Sequence, residues 1–165
     1  SEKIRNDMKK GVREEDIEYT FEQCAINNIR AVPLLMIGYP TETDEDFEEN
    51  LKFWERYAKY NKKNGGTIHY PHLGTTTRVL PNTPLAAKFE PMGMYYDEHG
   101  HWVYKDNNHK KRIERWFRYR DKALECGFEP TMTTPTLLIR EYKEITGIDL
   151  TEKYDLDGVR IWNDH

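Results

Sequence analysis

Cysteine is scarce in this chain, which has two among 165 residues, Cys24 and Cys126, far apart in the sequence. This number excludes both a framework of several disulfides and a metal cluster held by three or four cysteines. Apolar residues are few as well, at 37%, and none of their runs approaches the roughly 20 residues that a membrane-spanning helix requires. No signal-peptide pattern stands at the N-terminus. These absences predict a soluble, cytoplasmic protein that does not use a membrane.

Charged residues are abundant but nearly balanced, with 25 Lys and Arg against 29 Asp and Glu and a net charge of −4. This balance disfavours nucleic acid as a partner, because a polyanion is bound through an excess of basic residues. Aromatic residues make up 13% of the chain, more than is typical of disordered segments. The composition therefore predicts a folded domain.

The first half of the chain alternates between the helical and the strand hydrophobic period. Apolar residues recur three and four apart in some segments, and two nearly continuous apolar runs lie between them. The predicted elements are helices at 1–11, 13–28 and 43–64, and strands at 29–38 and 67–74. This order predicts an α/β fold with parallel strands, either in a doubly wound sheet or in part of a β/α barrel.

The second half, from residue 91, has a different pattern. Residues 94–105 predict an antiparallel hairpin that turns at 98–100, and His99 and His101 beside this turn are expected to be solvated. A long helix is predicted at 108–126, with Ile113, Trp116, Phe117 and Leu124 inward. A last helix begins with Thr134 as its N-cap. We therefore divide the chain into residues 1–90 and a hairpin-plus-helix extension at 91–165.

The strongest local motif is LLMIGYPTETDEDF at residues 34–47, where an apolar run meets an acidic helix start. Parallel sheets gather ligands at the carboxyl ends of their strands. At such an end Gly38 would let a ligand approach the backbone, Pro40 would fix the turn, and Glu42 would accept hydrogen bonds from the ligand. The alternative is a plain strand-to-helix connection, in which Thr43 is only the helix N-cap.

Two other groups of residues permit a functional interpretation and a simpler one. His69 and His72, with Glu42, are residue types that bind zinc or iron, but strand positions three apart point to opposite faces, so a metal site is not predicted. The helix NHKKRIERWFRYR interleaves basic and aromatic residues, as phosphate-binding helices do. Its inward periodicity favours an ordinary amphipathic helix instead.

Four short motifs in order resemble the catalytic domain of radical S-adenosylmethionine enzymes, in the group that includes cobalamin-binding and methylthiotransferase-type members. Ser1 stands where the family's Glu-Ser-Gly-Ser ends, and residues 8–11 match its Met-Lys-Lys element. Residues 38–43 match Gly-Leu-Pro-Gly-Glu-Thr, and residues 80–86 resemble Pro-Gly-Thr-Pro-Leu-Ala. The resemblance covers about residues 1–90.

The resemblance implies the C-terminal portion of a partial (β/α)6 TIM-like barrel, followed by the hairpin and a helical C-terminal extension. It also implies that S-adenosylmethionine lies across the strand ends, with Ser1 near its ribose, Lys10 near its carboxylate and the 38–43 turn beside its adenine. The implied cofactor-binding residues are Ser1, Lys10, Gly38, Tyr39, Pro40, Glu42 and Thr43.

One departure from the family is large. Its members hold a [4Fe–4S] cluster through Cys-x-x-x-Cys-x-x-Cys, and this sequence has no such motif. The expectation is therefore a fragment of a radical S-adenosylmethionine enzyme, inactive alone, whose cluster belongs to the parent protein only.

The missing N-terminal half of the barrel would leave a sheet edge open. We expect that half, or self-association of the chain, to cover the edge. Two alternatives remain open at this point: a stand-alone α/β module that binds a nucleoside-like ligand, and a protein-interaction domain.

Overall fold

The computed structural model describes residues 1–132 and 135–154, which form helices and short strands in mixed order. The helices are α1 (Glu2–Asp7), α2 (Glu14–Ile26), α3 (Asp44–Tyr57), α4 (Pro84–Ala87), α5 (His109–Glu125) and α6 (Pro135–Thr146), with 3-10 turns at Ala58–Tyr60 and Lys62–Asn64. The strands are β1 (Leu34–Leu35), β2 (His72–Leu73), β3 (Tyr95–Tyr96), β4 (Trp102–Val103) and β5 (Thr131–Met132).

Three of these strands form a parallel sheet in the order β1–β2–β5, with β2 in the middle. Leu34 lies opposite His72 in the register, and His72 lies opposite Thr131. The strands β3 and β4 form a separate antiparallel hairpin. This confirms the predicted mixture of helices with parallel strands, and it confirms the hairpin.

The two faces of the sheet differ in burial. Leu73 and Met132 are buried in the hydrophobic core, where Leu35 packs beside them. Their neighbours Leu34 and His72 point to the opposite face because side chains alternate along a strand. On that face Leu34 is 78% exposed. The described sheet is therefore packed on one face and open on the other at β1.

Helices α3 and α5 supply much of the core on the packed face. Trp54 of α3 and Ile113, Trp116 and Phe117 of α5 are each fully buried. This confirms three of the four inward positions predicted for α5. The fourth, Leu124, is wrong: it is 44% exposed, and its neighbour Ala123 occupies the core position in this turn instead.

The strands are much shorter than the apolar runs that predicted them. Proline explains this at both sites, since Pro33 precedes β1 and Pro71 precedes β2 and neither can donate to a ladder. Only an isolated bridge between Ala31 and Ile68 extends the pairing before the prolines. The predicted N-cap Thr134 and the C-terminal tail from residue 155 lie outside the described residues. Within the described ranges, no helix combines the length and apolarity needed to cross a membrane.

Candidate functional site

The chain turns sharply at Gly38, just beyond β1. Its φ of 79° lies in the left-handed region that glycine adopts most readily. A β-carbon at this position would lie 2.6 Å from both Cγ and Cδ of Arg112. The sequence predicted that Gly38 makes room for a ligand, whereas here the space beside it holds the stem of Arg112. The glycine is therefore required by the packing of α5 against the turn.

Glu42 lies inside the turn and is 4% exposed. Its Oε2 atom accepts hydrogen bonds from the Gly38 backbone N–H and the Arg115 guanidinium, both at 3.0 Å. Its Oε1 atom accepts one from the side-chain amide of Asn50 at 2.8 Å. Burial raises the pKa of Glu42, and the Arg115 charge and these hydrogen bonds lower it by less. The carboxylate thus holds the turn closed from within.

Thr43 begins α3 as its N-cap, as predicted. Its hydroxyl accepts from the Asp46 N–H at 3.2 Å, and the Asp46 carboxylate accepts from the Thr43 N–H at 3.1 Å, which completes a capping box. The Asp46 carboxylate also accepts from the Ser1 hydroxyl at 2.7 Å and from the Lys3 ammonium at 2.8 Å. Although burial raises the pKa of Asp46, these hydrogen bonds lower it to about 2. They tie the start of α1 to the start of α3.

The outer side of the turn is anchored by its backbone carbonyls. The Asn107 side-chain amide donates to the Tyr39 carbonyl at 2.9 Å and to the Pro40 carbonyl at 3.2 Å. The Lys3 ammonium donates to the Thr41 carbonyl at 2.7 Å. Pro40 and its neighbours line a depression of about 420 Å³ on this side. The turn is consequently a rigid wall, held from both sides.

A larger cleft, of about 760 Å³, lies between α1, α2, β1 and α3. Ser1, Lys10 and Asn50 line it together with apolar side chains, among them Leu34 and Phe53. Its volume falls within the range of roughly 300–1,000 Å³ that is usual for small-molecule sites. The Lys10 side chain forms no ion pair within residues 1–132 and 135–154. The cleft therefore offers an unpaired ammonium in a lining that mixes apolar side chains with charged ones, among them Glu14, Glu49 and Arg56.

The residues implied by the family resemblance are thus divided between two adjoining surfaces. Ser1 and Lys10 line the larger cleft, and Pro40, Glu42 and Thr43 line the smaller depression. Asn50 connects the two surfaces. Its side chain faces the cleft, accepts from the Ser1 backbone nitrogen and donates to Glu42.

The sequence did not point to the side chains that hold these surfaces in place: Asn50, Asn107, Arg112 and Arg115. Arg112 and Arg115 of α5 are three residues apart, and Trp116 follows Arg115 directly. This spacing places the arginines on the buried helical face, but a periodicity that counts only apolar residues assigns them to solvent.

The histidines of the β2 region do not form a metal site. His72 lies in β2 with its Nδ1 atom 3.3 Å from the Thr131 hydroxyl. His69 precedes β2, and burial lowers its pKa. No group of three or more His, Cys, Asp or Glu side chains could hold a metal ion within the described ranges.

Comparison with known proteins gives one partial relative. No protein-family model matches the chain, and no solved structure matches it. An uncharacterized protein of Methanocaldococcus jannaschii is 38% identical over 64 residues, which are 38% of this chain and 14% of that protein. The matched stretch thus spans a small part of the relative, which is itself uncharacterized.

Proposed function

We propose that this chain forms the adenosine-side wall of an S-adenosylmethionine site in a radical S-adenosylmethionine enzyme. In this proposal β1, β2 and β5 are the last strands of a partial (β/α)6 barrel, and the segment from residue 91 extends it. The residues that would contact the cofactor are those of the larger cleft and of the outer side of the 38–43 turn, whereas Gly38 and Glu42 hold that turn through contacts within the protein.

The observation that carries the proposal is the junction of Ser1 with the turn through Asp46 and Asn50. The hydroxyl of Ser1 lies 2.7 Å from Asp46, and Asn50 lies 2.8 Å from Glu42. The sequence resemblance requires these two distant motifs, which follow two different strands of the barrel, to lie side by side at the carboxyl ends of the strands. Their junction beside a cleft of suitable size supports the proposal.

The order of the strands supports the barrel interpretation. The order of the strands in the sheet, β1–β2–β5, follows their order in the chain, with the β3–β4 hairpin inserted between β2 and β5, and α3 and α5 both contribute to the core on one face. The opposite face at β1 presents Val32, Leu34 and Met36, which are 46%, 78% and 49% exposed. Apolar side chains on that face are suited to pack against the other half of the barrel or against a second copy, and the outer edge of β1 in the described sheet is suited to pair with a further strand.

The residues of the cleft fit S-adenosylmethionine in part. The unpaired Lys10 ammonium suits its carboxylate, and the second amide N–H of Asn50 and the acceptor lone pairs of the Ser1 hydroxyl, whose other bonds go to Glu42 and Asp46, suit a ribose. When bound in such enzymes, the cofactor supplies hydrogen abstraction by a radical. A [4Fe–4S] cluster does not fit this chain, since two cysteines cannot provide three thiolate ligands. The cysteines would have to come from another part of the parent protein.

The chain's own residues would therefore bind and orient rather than react. Glu42 and Arg115 hold the turn rigid, and the polar side chains of the cleft accept the nucleoside and the amino-acid end of the ligand. A stand-alone nucleoside-binding module would use the same surfaces, but it would not need the other half of a barrel. The exposed face at β1 favours the fragment of a larger enzyme.

Isothermal calorimetry with S-adenosylhomocysteine tests the binding part of the proposal. Lys10→Ala removes one exposed cation that lines the cleft, and we expect about tenfold weaker binding, or roughly 1.4 kcal/mol. Lys88→Ala, at an exposed lysine away from the cleft, is the matched control and should bind like the parent chain. Equal affinity in all three proteins would contradict the role of the cleft.

The coding sequence upstream of Ser1 tests the enzyme part separately. The proposal requires an in-frame Cys-x-x-x-Cys-x-x-Cys motif in the parent gene. A parent gene without that motif would exclude a radical S-adenosylmethionine enzyme, and binding alone would then support the nucleoside-binding module.

A further inference from the structure

A second cavity, of about 270 Å³, lies at the carboxyl end of β2. The loop at 74–78 forms one wall, the hairpin supplies His101, and α5 supplies His109 and Arg112. Two tryptophans fix the loop: the Trp116 indole N–H donates to the Gly74 carbonyl at 2.6 Å, and that of Trp102 donates to the Thr77 carbonyl at 2.9 Å. The cavity wall is thus preformed.

The floor of this cavity contains a buried cation. Arg112 is 1% exposed, and its guanidinium donates to the backbone carbonyls of Asn107 at 3.1 Å and Trp102 at 2.9 Å. Its guanidinium carbon also lies 3.6 Å from the centre of the Trp102 ring. The Nε atom of Arg112 has no hydrogen-bond partner. The Arg112 guanidinium forms no ion pair within the described part of the chain.

The charge on Arg112 persists at neutral pH. Burial lowers the pKa of Arg112 to about 9, and the more distant Asp97 carboxylate opposes this shift only in part. A buried cation without a contacting carboxylate is costly unless an anion approaches it. The absence of a contacting carboxylate among the described residues points to a negatively charged occupant.

The other charged side chains of the cavity also favour an anionic occupant. The exposed Arg78 lies on its rim and pairs with no carboxylate of the described residues. Glu141 is the acidic residue of the lining, and His109 engages it: the His109 Nε2 atom lies 2.9 Å from Oε2 of Glu141, while its Nδ1 atom lies 3.5 Å from Arg112. With the two arginines, the cavity carries one net positive charge when the histidines are neutral.

We infer that this cavity binds a small anionic group, a phosphate or a carboxylate, which Arg78 and His101 contact above the buried Arg112. The Thr76 hydroxyl is a further donor along the loop, whereas those of Thr75 and Thr77 already donate to the backbone carbonyls of Thr76 and Ile37. A volume of about 270 Å³ admits a single such group with a short substituent, not a whole nucleotide. The inference stands on these residues and is independent of the proposed cofactor site.

Nuclear magnetic resonance tests the inference through the ring protons of His101 and His109. The protein is titrated at constant ionic strength with inorganic phosphate in one arm and acetate in the other. We expect saturable shifts of both rings, and the arm with the tighter saturation identifies the anion. Because Arg112 is fully buried and its replacement risks unfolding, Arg78→Gln carries the test. It should weaken binding about tenfold.

Arg30→Gln is the matched control, since Arg30 is also exposed and does not line this cavity. It should leave the affinity unchanged, while His101→Gln should weaken it in the same direction as Arg78→Gln. Linear shifts without saturation in both arms would overturn the inference. Equal losses of anion affinity in Arg78→Gln and Arg30→Gln would also overturn the inference, because they would show that the anion is attracted only by the net charge of the protein.

Discussion

The guanidinium of Arg115 donates to the carboxylate of Glu42 at 3.0 Å, and both side chains are almost fully buried, at 3% and 1% exposed. The same arginine reaches Asp44 at 2.8 Å. This ion pair joins the middle of α5 to the turn that follows β1. It therefore fixes the turn relative to the sheet.

Replacing Arg115 by methionine should destabilise the protein by about 3–5 kcal/mol, because it leaves the Glu42 carboxylate buried without its counter-charge. Urea unfolding at neutral pH measures the change. Arg118→Met is the matched control on the same helix. It breaks an exposed pair with Glu48, at 54% and 53% exposed, and should cost under about 1 kcal/mol.

The stability of the Arg115→Met variant should depend on pH, in a direction set by the raised pKa of Glu42. Burial raises the pKa of Glu42, and losing Arg115 should raise it further. The folded variant then binds a proton more tightly than the unfolded chain, so its stability falls as the pH rises above the ordinary carboxyl range. Its deficit against the parent protein should therefore be largest near pH 7 and shrink toward about pH 4. A deficit independent of pH would contradict the ion pair.

Gly38→Ala should destabilise the protein by about 2–4 kcal/mol, through its left-handed backbone and the contact with Arg112. Gly93→Ala separates the two causes, since Gly93 has a φ of 75° but nothing within 4 Å of an added β-carbon. That control should cost about 1 kcal/mol. Thermal unfolding of both variants measures the difference, and equal losses would show that Arg112 does not crowd the glycine.

His109 should make stability depend on pH between about 4 and 6.5. Burial lowers its pKa from 6.5 to about 4, with His101 and Arg112 acting in the same direction and the hydrogen bond to Glu141 opposing them. The unfolded chain therefore binds more protons in this range, and stability is lost as the pH falls through it.

His109→Gln should flatten the pH dependence over that range, because glutamine does not titrate. His99→Gln, at an exposed histidine of the hairpin turn, should leave it as in the parent protein. Urea unfolding at a series of pH values compares the three proteins. An unchanged slope in His109→Gln would show that the histidine is not held neutral by burial.

The open edge at β1 should lead to self-association when no other half of a barrel covers it. Light scattering over a concentration series should show the mass rising with concentration. Leu34→Lys should shift the protein toward the monomer, and Leu80→Lys, at a loop leucine that is 58% exposed, should not. A monomer at every concentration would contradict association through this edge.

Local signals in the sequence predicted where several helices begin, but not where all of them end: α1 ends at Asp7 rather than at residue 11, and α3 ends at Tyr57 and gives way to 3-10 turns before residue 64. Ser1, Thr43 and Asn108 are N-caps whose side chains accept hydrogen bonds within three residues. Gly127 follows α5 with a φ of 80°. Such signals are complete within a few residues, so no knowledge of the fold is needed to use them.

The contacts that shape the candidate site could not be predicted in this way. Glu42 and Arg115 are 73 residues apart, and their pairing depends on how α5 packs across the turn. His101 was predicted to be solvated, but its ring stacks on His109 with centres 3.8 Å apart, because the hairpin folds back onto the start of α5. Long-range packing decided both cases, and a single sequence contains no record of it.

The most direct test of the proposed function is a titration of isotope-labelled protein with S-adenosylhomocysteine, followed through its backbone amide resonances. We predict saturable shifts confined to the amides near Ser1, Lys10, the 38–43 turn and Asn50, with a dissociation constant of about 1 mM for one isolated wall of a site. Shifts that do not saturate, or that lie only outside these residues, would contradict the assignment of this surface to the adenosine side of the cofactor.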